Sequence, residues 1–197
     1  MLAWAVLRGG KKRRASAPFG RFAEPVAAAG ACLLFLGLAA GGASDWGKVA
    51  ERAPGKEIIE VYAHQFAWSF RYAGPDGKFG KTGLPFINDA AGNPIGVDPK
   101  DPAGKDDRTT ATLRIPAGRD VLLLLHSRDV IHDFFVRELR TKQDIVPGME
   151  IPFDIHVDKP GEYEIACAEL CGLGHSQMRS LLIVMEPEAY ERWKRSR

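Results

Sequence analysis

Cysteine is scarce in this chain, three residues in 197, and there are only five histidines. No internal repeat is present, and no dinucleotide-binding or phosphate-loop motif, so nothing indicates a nucleotide cofactor. A strong overall charge is also lacking, the formal total being +2. That small number conceals an asymmetry. Residues 1–43 hold six basic side chains (Arg8, Lys11, Lys12, Arg13, Arg14, Arg21) against one acid, Glu24, for a net +5; the other 21 basic and 24 acidic residues leave the rest at −3. A basic start on a mildly acidic body does not read as a nucleic-acid binder. It fits a membrane-targeting segment leading into a domain able to meet a basic partner.

Long apolar runs are equally few. Residues 26–43 (VAAAGACLLFLGLAAGGA) form the one uncharged, mostly apolar stretch, at the short end of a membrane span. Positive charge ahead of it places residues 1–25 on the cytoplasmic side and sends the C-terminal body of the chain across the membrane. A cleaved signal peptide is the alternative, with Gly41-Gly42-Ala43 as the small-residue site. Cys32 lies in this run and reads as an apolar filler.

Beyond a 44–55 linker the pattern is all-β. Strands are expected at 56–63, 66–72, 110–116, 120–126, 151–157, 162–166 and 180–185, each short, rich in branched or aromatic residues and largely alternating. Pro147-Gly148 and Pro160-Gly161 mark turns. Such spacing predicts a sandwich or Greek-key barrel. Residues 73–109, dense in Gly, Pro, Asp and Lys, form a long insertion between strands. Pro187 opens a short C-terminal helix over 187–197.

The chemistry concentrates in residues 167–178, Cys-Ala-Glu-Leu-Cys-Gly-Leu-Gly-His-Ser-Gln-Met. Two thiols, an imidazole and a thioether are soft donors that suit copper. Gly172 and Gly174 favour a tight loop after the 162–166 strand, with both sulfurs facing one metal site. His132, in a turn 35 residues before Cys167, is the candidate second imidazole. A mononuclear blue-copper site needs one cysteine. A second lets two thiolates bridge two ions, with Met178 as a weak axial donor on one and a backbone carbonyl between the cysteines on the other. Such a site leaves no position open for a reactant and relays electrons. The competing readings are a Cys-x3-Cys disulfide, a structural zinc that gives Met178 no role, and a thiol-redox or copper-chaperone domain. His64, His126 and His156 fall in or beside strands and read as ordinary core or surface histidines.

Through these residues the chain resembles cytochrome c oxidase subunit II, in its copper-A domain. The string Cys-x-Glu-x-Cys-Gly-x-Gly-His-x-x-Met carries the resemblance. Asp129-Val130-Ile131-His132 is similar to the family's upstream histidine motif, residues 143–148 to the turn between them, and His64-Gln65-Phe66-Ala67-Trp68 to its aromatic strand near electron entry. The likeness covers residues 56–186, with 73–109 as a departure.

The resemblance implies a cupredoxin-like Greek-key β-barrel or sandwich on the periplasmic face, preceded by one N-terminal transmembrane helix. It implies binuclear copper held by His132, Cys167, Cys171, His175 and Met178, with the Glu169 backbone carbonyl. The Glu169 carboxylate would help hold magnesium or manganese at the contact with oxidase subunit I. Electrons would pass from cytochrome c through copper to haem in subunit I. The family's entry tryptophan falls at Phe66; Trp68, two residues on, would share its face in a strand and inherit the role. The family usually has two membrane helices, whereas one span is visible here. A nitric oxide reductase-like complex and a free-standing periplasmic copper carrier are the other functional readings.

Overall fold

In a computed structural model, residues 20–49 and 55–196 are described. The basic stretch at 8–14 and part of the 44–55 linker lie outside them. The chain divides into two units, residues 1–48 and 49–197.

The first unit is the helix α1 (Gly20–Val49). The most apolar 18-residue stretch of its Phe22–Asp45 segment has a mean hydropathy of 2.0, and this is the one helix among the described residues long and apolar enough to cross a membrane. Phe22, Leu33, Leu34, Phe35, Leu36 and Leu38 are all exposed, apolar on every side, which suits lipid and not a soluble surface. The helix overruns the apolar run of 26–43 at both ends, taking in part of the expected linker. Backbone bonds, once nucleated, propagate through adjacent helix-tolerant residues without regard to hydropathy.

The second unit is a two-sheet sandwich. Its strands are β1 (Glu57–His64), β2 (Ala67–Tyr72), β3 (Arg108–Thr110), β4 (Leu113–Pro116), β5 (Asp120–Ser127), β6 (His132–Val136), β7 (Thr141–Ile145), β8 (Ile151–His156), β9 (Gly161–Cys167) and β10 (Arg179–Met185), followed by helix α2 (Pro187–Arg195). One sheet runs β3-β2-β1-β5-β8 and the other β4-β10-β9-β6-β7. β1–β5 and β4–β10 are parallel; the remaining pairs are antiparallel. Alternation supplies the core: Ile59, Val61 and Ala63 from β1, Val121, Leu123 and Leu125 from β5, and Leu182 and Val184 from β10 all point inward and are buried.

Three expectations change. The single strand at 110–116 is two, because the chain bends at Ala111-Thr112: β3 pairs with β2 in one sheet and β4 with β10 in the other. The strand at 66–72 begins one residue later. Gln65 and Phe66 form a two-residue turn between β1 and β2, with His64 opposite Ala67. Phe66 and Trp68 therefore do not share a strand face: Phe66 is partly exposed and Trp68 is buried. Third, β6 and β7 had no expected counterpart. His132-Asp133 opens one and Thr-Lys-Gln-Asp-Ile composes the other, so neither carries an apolar alternation.

The insertion is an ordered lobe running from Ala73 to Asp107. It contains two single 3-10 turns, Leu84–Phe86 and Pro102–Gly104, and bridges pairing Thr82 with Val97 and Asn88 with Asn93. Its two ends meet at Arg71 of β2, which is completely buried. The guanidinium donates to Glu60 Oε2 at 3.0 Å, to Gly80 O at 2.6 Å and through Nε to Asp107 Oδ2 at 3.0 Å, and lies 5.2 Å from the Phe79 ring. Burial pushes the Glu60 carboxyl up, and the Arg71 charge pulls it back. Farther out, Arg128 Nη1 bonds Asp89 Oδ1 at 2.9 Å and Pro94 O at 3.1 Å. At the C-terminus Trp193 of α2 packs edge-on to Tyr72 and takes Arg108 over its ring at 4.4 Å.

Replacing Arg71 with Met strands two carboxylates away from solvent. We expect Arg71→Met to lose about 3–5 kcal/mol of stability and to speed proteolysis within the insertion. A urea midpoint and a cleavage rate equal to those of the native chain would contradict this role.

Candidate metal centre

Two strand ends and one loop build the site. β9 ends at Cys167, whose N–H donates to the Met178 carbonyl at 3.2 Å, closing residues 168–177 into a loop that returns along β10. Gly172, at φ +134°, makes a turn that other residues rarely adopt. At Gly174 a Cβ would fall 2.4 Å from Phe66 Cδ2, so the loop backbone lies directly under the Phe66 ring. A 3-10 turn, His175–Gln177, then brings His175 and Met178 back toward the cysteines.

The donors converge. Cys167 Sγ and Cys171 Sγ are 3.8 Å apart and unbonded. His132 Nδ1 lies 3.8 Å from Cys167 Sγ, His175 Nδ1 3.6 Å from Cys171 Sγ, and Met178 Sδ 3.8 Å from Cys171 Sγ. The Glu169 carbonyl oxygen is 3.1 Å from Cys167 Sγ. Nitrogen and sulfur donors of His132, Cys167 and Cys171 all fall within 4.8 Å of one another. His132, Cys167, Cys171 and Met178 are buried, and His175 is half-buried. Glu169 is exposed, whereas its carbonyl oxygen faces the Cys167 sulfur.

This donor set fits copper. Two sulfurs 3.8 Å apart can both be reached by one metal ion at a thiolate bond of about 2.3 Å, from either side of the pair. Burial pushes the Cys171 thiol up to about 11, and the nearby Cys167 sulfur adds to the rise. Only a strongly bound cation turns such a pair into thiolates near neutral pH.

Asp129 selects the nitrogen that His132 presents. Its Oδ1 lies 2.8 Å from His132 Nε2, which leaves Nδ1 free toward the sulfur. Burial opposes the charge on Asp129, but hydrogen bonds from the Gln65 N–H, His132 and the Val130 N–H hold its carboxyl below the usual range. In the sequence Asp129 and Gln65 stand out only as parts of motifs, because nothing in a polar turn residue announces a contact with a distant segment. Gln65 Nε2 donates to the Cys171 carbonyl at 2.6 Å, and its backbone N–H to Asp129 Oδ2 at 2.8 Å. Trp68 lies beneath the site, its ring 6.5 Å from that of His132 and edge-on to Phe134 at 5.9 Å. His64, His126 and His156 are not among the converging donors: His126 stacks on Tyr62 at 4.8 Å, and His156 bonds Asp120 and Asp158 on the surface.

The chain is similar to known proteins. The family model of the cytochrome c oxidase subunit II periplasmic domain matches residues 58–186. The alternative cytochrome c oxidase subunit 2 of Bradyrhizobium diazoefficiens is 42% identical over 137 residues, covering 68% of this chain and 49% of that protein. Cytochrome c oxidase subunit 2 of Thermostichus vulcanus is 48% identical over 138 residues, 70% of this chain and 32% of that protein. The chain thus spans half or less of the length of these relatives. Among solved structures, the periplasmic domain of subunit II of cytochrome oxidase of Bradyrhizobium japonicum gives a TM-score of 0.51 at 23% identity, over 73% of this chain and 94% of that one. That likeness assigns the fold, a cupredoxin-like sandwich.

Asp133, next to His132, is wholly buried, with Oδ2 on Lys142 Nζ at 2.9 Å. Burial pushes its carboxyl up to about 6 against the pull of Lys142. The folded chain therefore keeps a proton that the unfolded chain, titrating near 3.9, releases. The stability this confers is full below about pH 4 and is lost as the pH rises through about 6. Urea titrations of the metal-free chain at pH 4, 5, 6 and 7 should show that decline, and Asp133→Asn should flatten it. An equal slope in the variant would refute the assignment.

Proposed function

Because this chain belongs to the cytochrome c oxidase subunit II family, we propose that it is the electron-entry subunit of a respiratory haem-copper oxidase. Its relatives are subunits of an oxidoreductase complex, and the chain's own part is to relay electrons. The side chains of His132, Cys167, Cys171, His175 and Met178, with the Glu169 carbonyl, hold a binuclear copper centre. Bound there, copper supplies a one-electron carrier.

The observation that carries this reading is the buried pair of unbonded sulfurs with an imidazole beside each one. The protein's contribution is confinement. Strands β6, β9 and β10 carry the flanks of the donor loops, so the donors have little freedom to move when charge changes, and small rearrangement favours fast transfer. Every donor is committed, which leaves no place for a reactant. Water is kept out by Trp68 and Phe134 below and by Phe66 above.

Phe66, Val130, Ile131, Leu170 and Leu173 are exposed apolar side chains on the loops at this end of the sandwich. They support docking of a redox partner there, with cytochrome c as donor. Phe66, over the cysteine loop, and Trp68, against His132, offer aromatic steps inward. The Glu169 carboxylate is free to join a magnesium or manganese ion at the contact with the haem-bearing subunit I. Helix α1 anchors the chain in the inner membrane, and the basic residues before it keep the N-terminus cytoplasmic and the copper domain periplasmic.

The full chain, purified in detergent and loaded with Cu(II) under mild reduction, should bind two coppers. Its electron paramagnetic resonance spectrum should show the hyperfine pattern of one unpaired electron shared by two nuclei. A single copper per chain with a four-line spectrum, or equal retention of zinc, would overturn the proposal.

A further inference from the structure

The turn Gln65-Phe66 touches both loops that carry metal donors, yet supplies no metal donor itself. On one side the Gln65 backbone N–H donates to Asp129 Oδ2 at 2.8 Å, and Asp129 Oδ1 holds His132 Nε2 at 2.8 Å. On the other, Gln65 Nε2 donates to the Cys171 carbonyl at 2.6 Å. The adjacent Phe66 ring presses on the same loop: Cβ atoms built at Gly172 and Gly174 would lie 3.1 Å and 2.4 Å from its carbons.

We infer that Gln65 is a positioning residue of the metal centre, tying His132 and Cys171 into one rigid body across the two loops. This rests on the copper reading above. His132 comes from the start of β6 and Cys171 from the loop after β9, so without a tie each could drift with its own segment. Gln65 is suited to the task because one residue offers two N–H donors in opposite directions, one from the backbone and one from the side-chain amide. The geometry is also directional. A glutamate of the same shape has no N–H to give the Cys171 carbonyl, and a leucine has no polar atom there at all.

Gln65 lies on an exposed turn, so its replacement leaves the sandwich core untouched. In the copper-loaded full chain, Gln65→Leu and Gln65→Glu should each release copper to a chelator about 10-fold faster than the native chain. Both should alter the hyperfine splitting and the reduction potential. Gln65→Lys, which restores an N–H donor of sufficient reach, should recover copper retention. The metal-free variants should unfold in urea at the native midpoint.

Release rates and spectra equal to those of the native chain in both donor-free variants would overturn the inference. So would an equal loss of stability with and without metal, which would mark Gln65 as merely structural. Failure of the native chain itself to hold two coppers would bring down the parent reading and this inference with it. A native two-copper chain with unaffected variants would sink this inference alone.

Discussion

Two cysteine sulfurs stand 3.8 Å apart in a dry wall of the sandwich without bonding to each other. Two thiolates that close repel, and burial makes the repulsion worse. As thiolates the pair is stable only if a cation sits with it and the backbone on either side cannot relax away. Much of the architecture serves that second condition. Cys167 is the last residue of a strand paired on both sides, to β6 and β10. Its N–H is tied to the Met178 carbonyl, and the N–H of Ala168 to the carbonyl of Asp133. The cysteine loop is thus closed at its root by hydrogen bonds that do not depend on metal.

Around that root the remaining donors arrive by different routes. His132 begins β6, the strand next to β9, so sheet pairing alone sets it beside Cys167. His175 and Met178 return on the far side through a single 3-10 turn. The orientation of the His132 ring needs a separate device, which Asp129 supplies, and Gln65 links that device to the Cys171 loop. Sheet registry provides position, and side-chain hydrogen bonds provide aim.

The donors were legible in the sequence because soft ligands in one short string have few other uses, and because a cysteine pair four residues apart, with glycines close behind, favours a loop. The strands with apolar alternation were legible for the same kind of reason. What escaped was whatever depends on long-range contact. β6 and β7 have polar faces because one borders the metal pocket and the other lies at the sheet edge, so their periodicity is muted. The relation of Phe66 to Trp68 was misjudged because a strand was assumed where the chain turns. Gln65 bonds Asp129 and Cys171, both far from it along the chain, and its residue type reveals nothing of it. The insertion offered no periodicity to read, and its order comes from Asn93 side-chain bonds to Phe86 and Val97 and from one buried arginine.

That arginine has an evolutionary implication. Arg71 gathers Gly80 and Asp107, near the two ends of the lobe, to a single point beside the antiparallel pair β2–β3. Seen from the sandwich, everything between those two residues is a cassette whose ends share one socket. The entropy of closing a loop grows only slowly with its length, so a cassette with fixed ends can be lengthened, shortened or exchanged while the strands keep their register. The cysteine-loop end of the domain and its lobe are free to diverge at different rates.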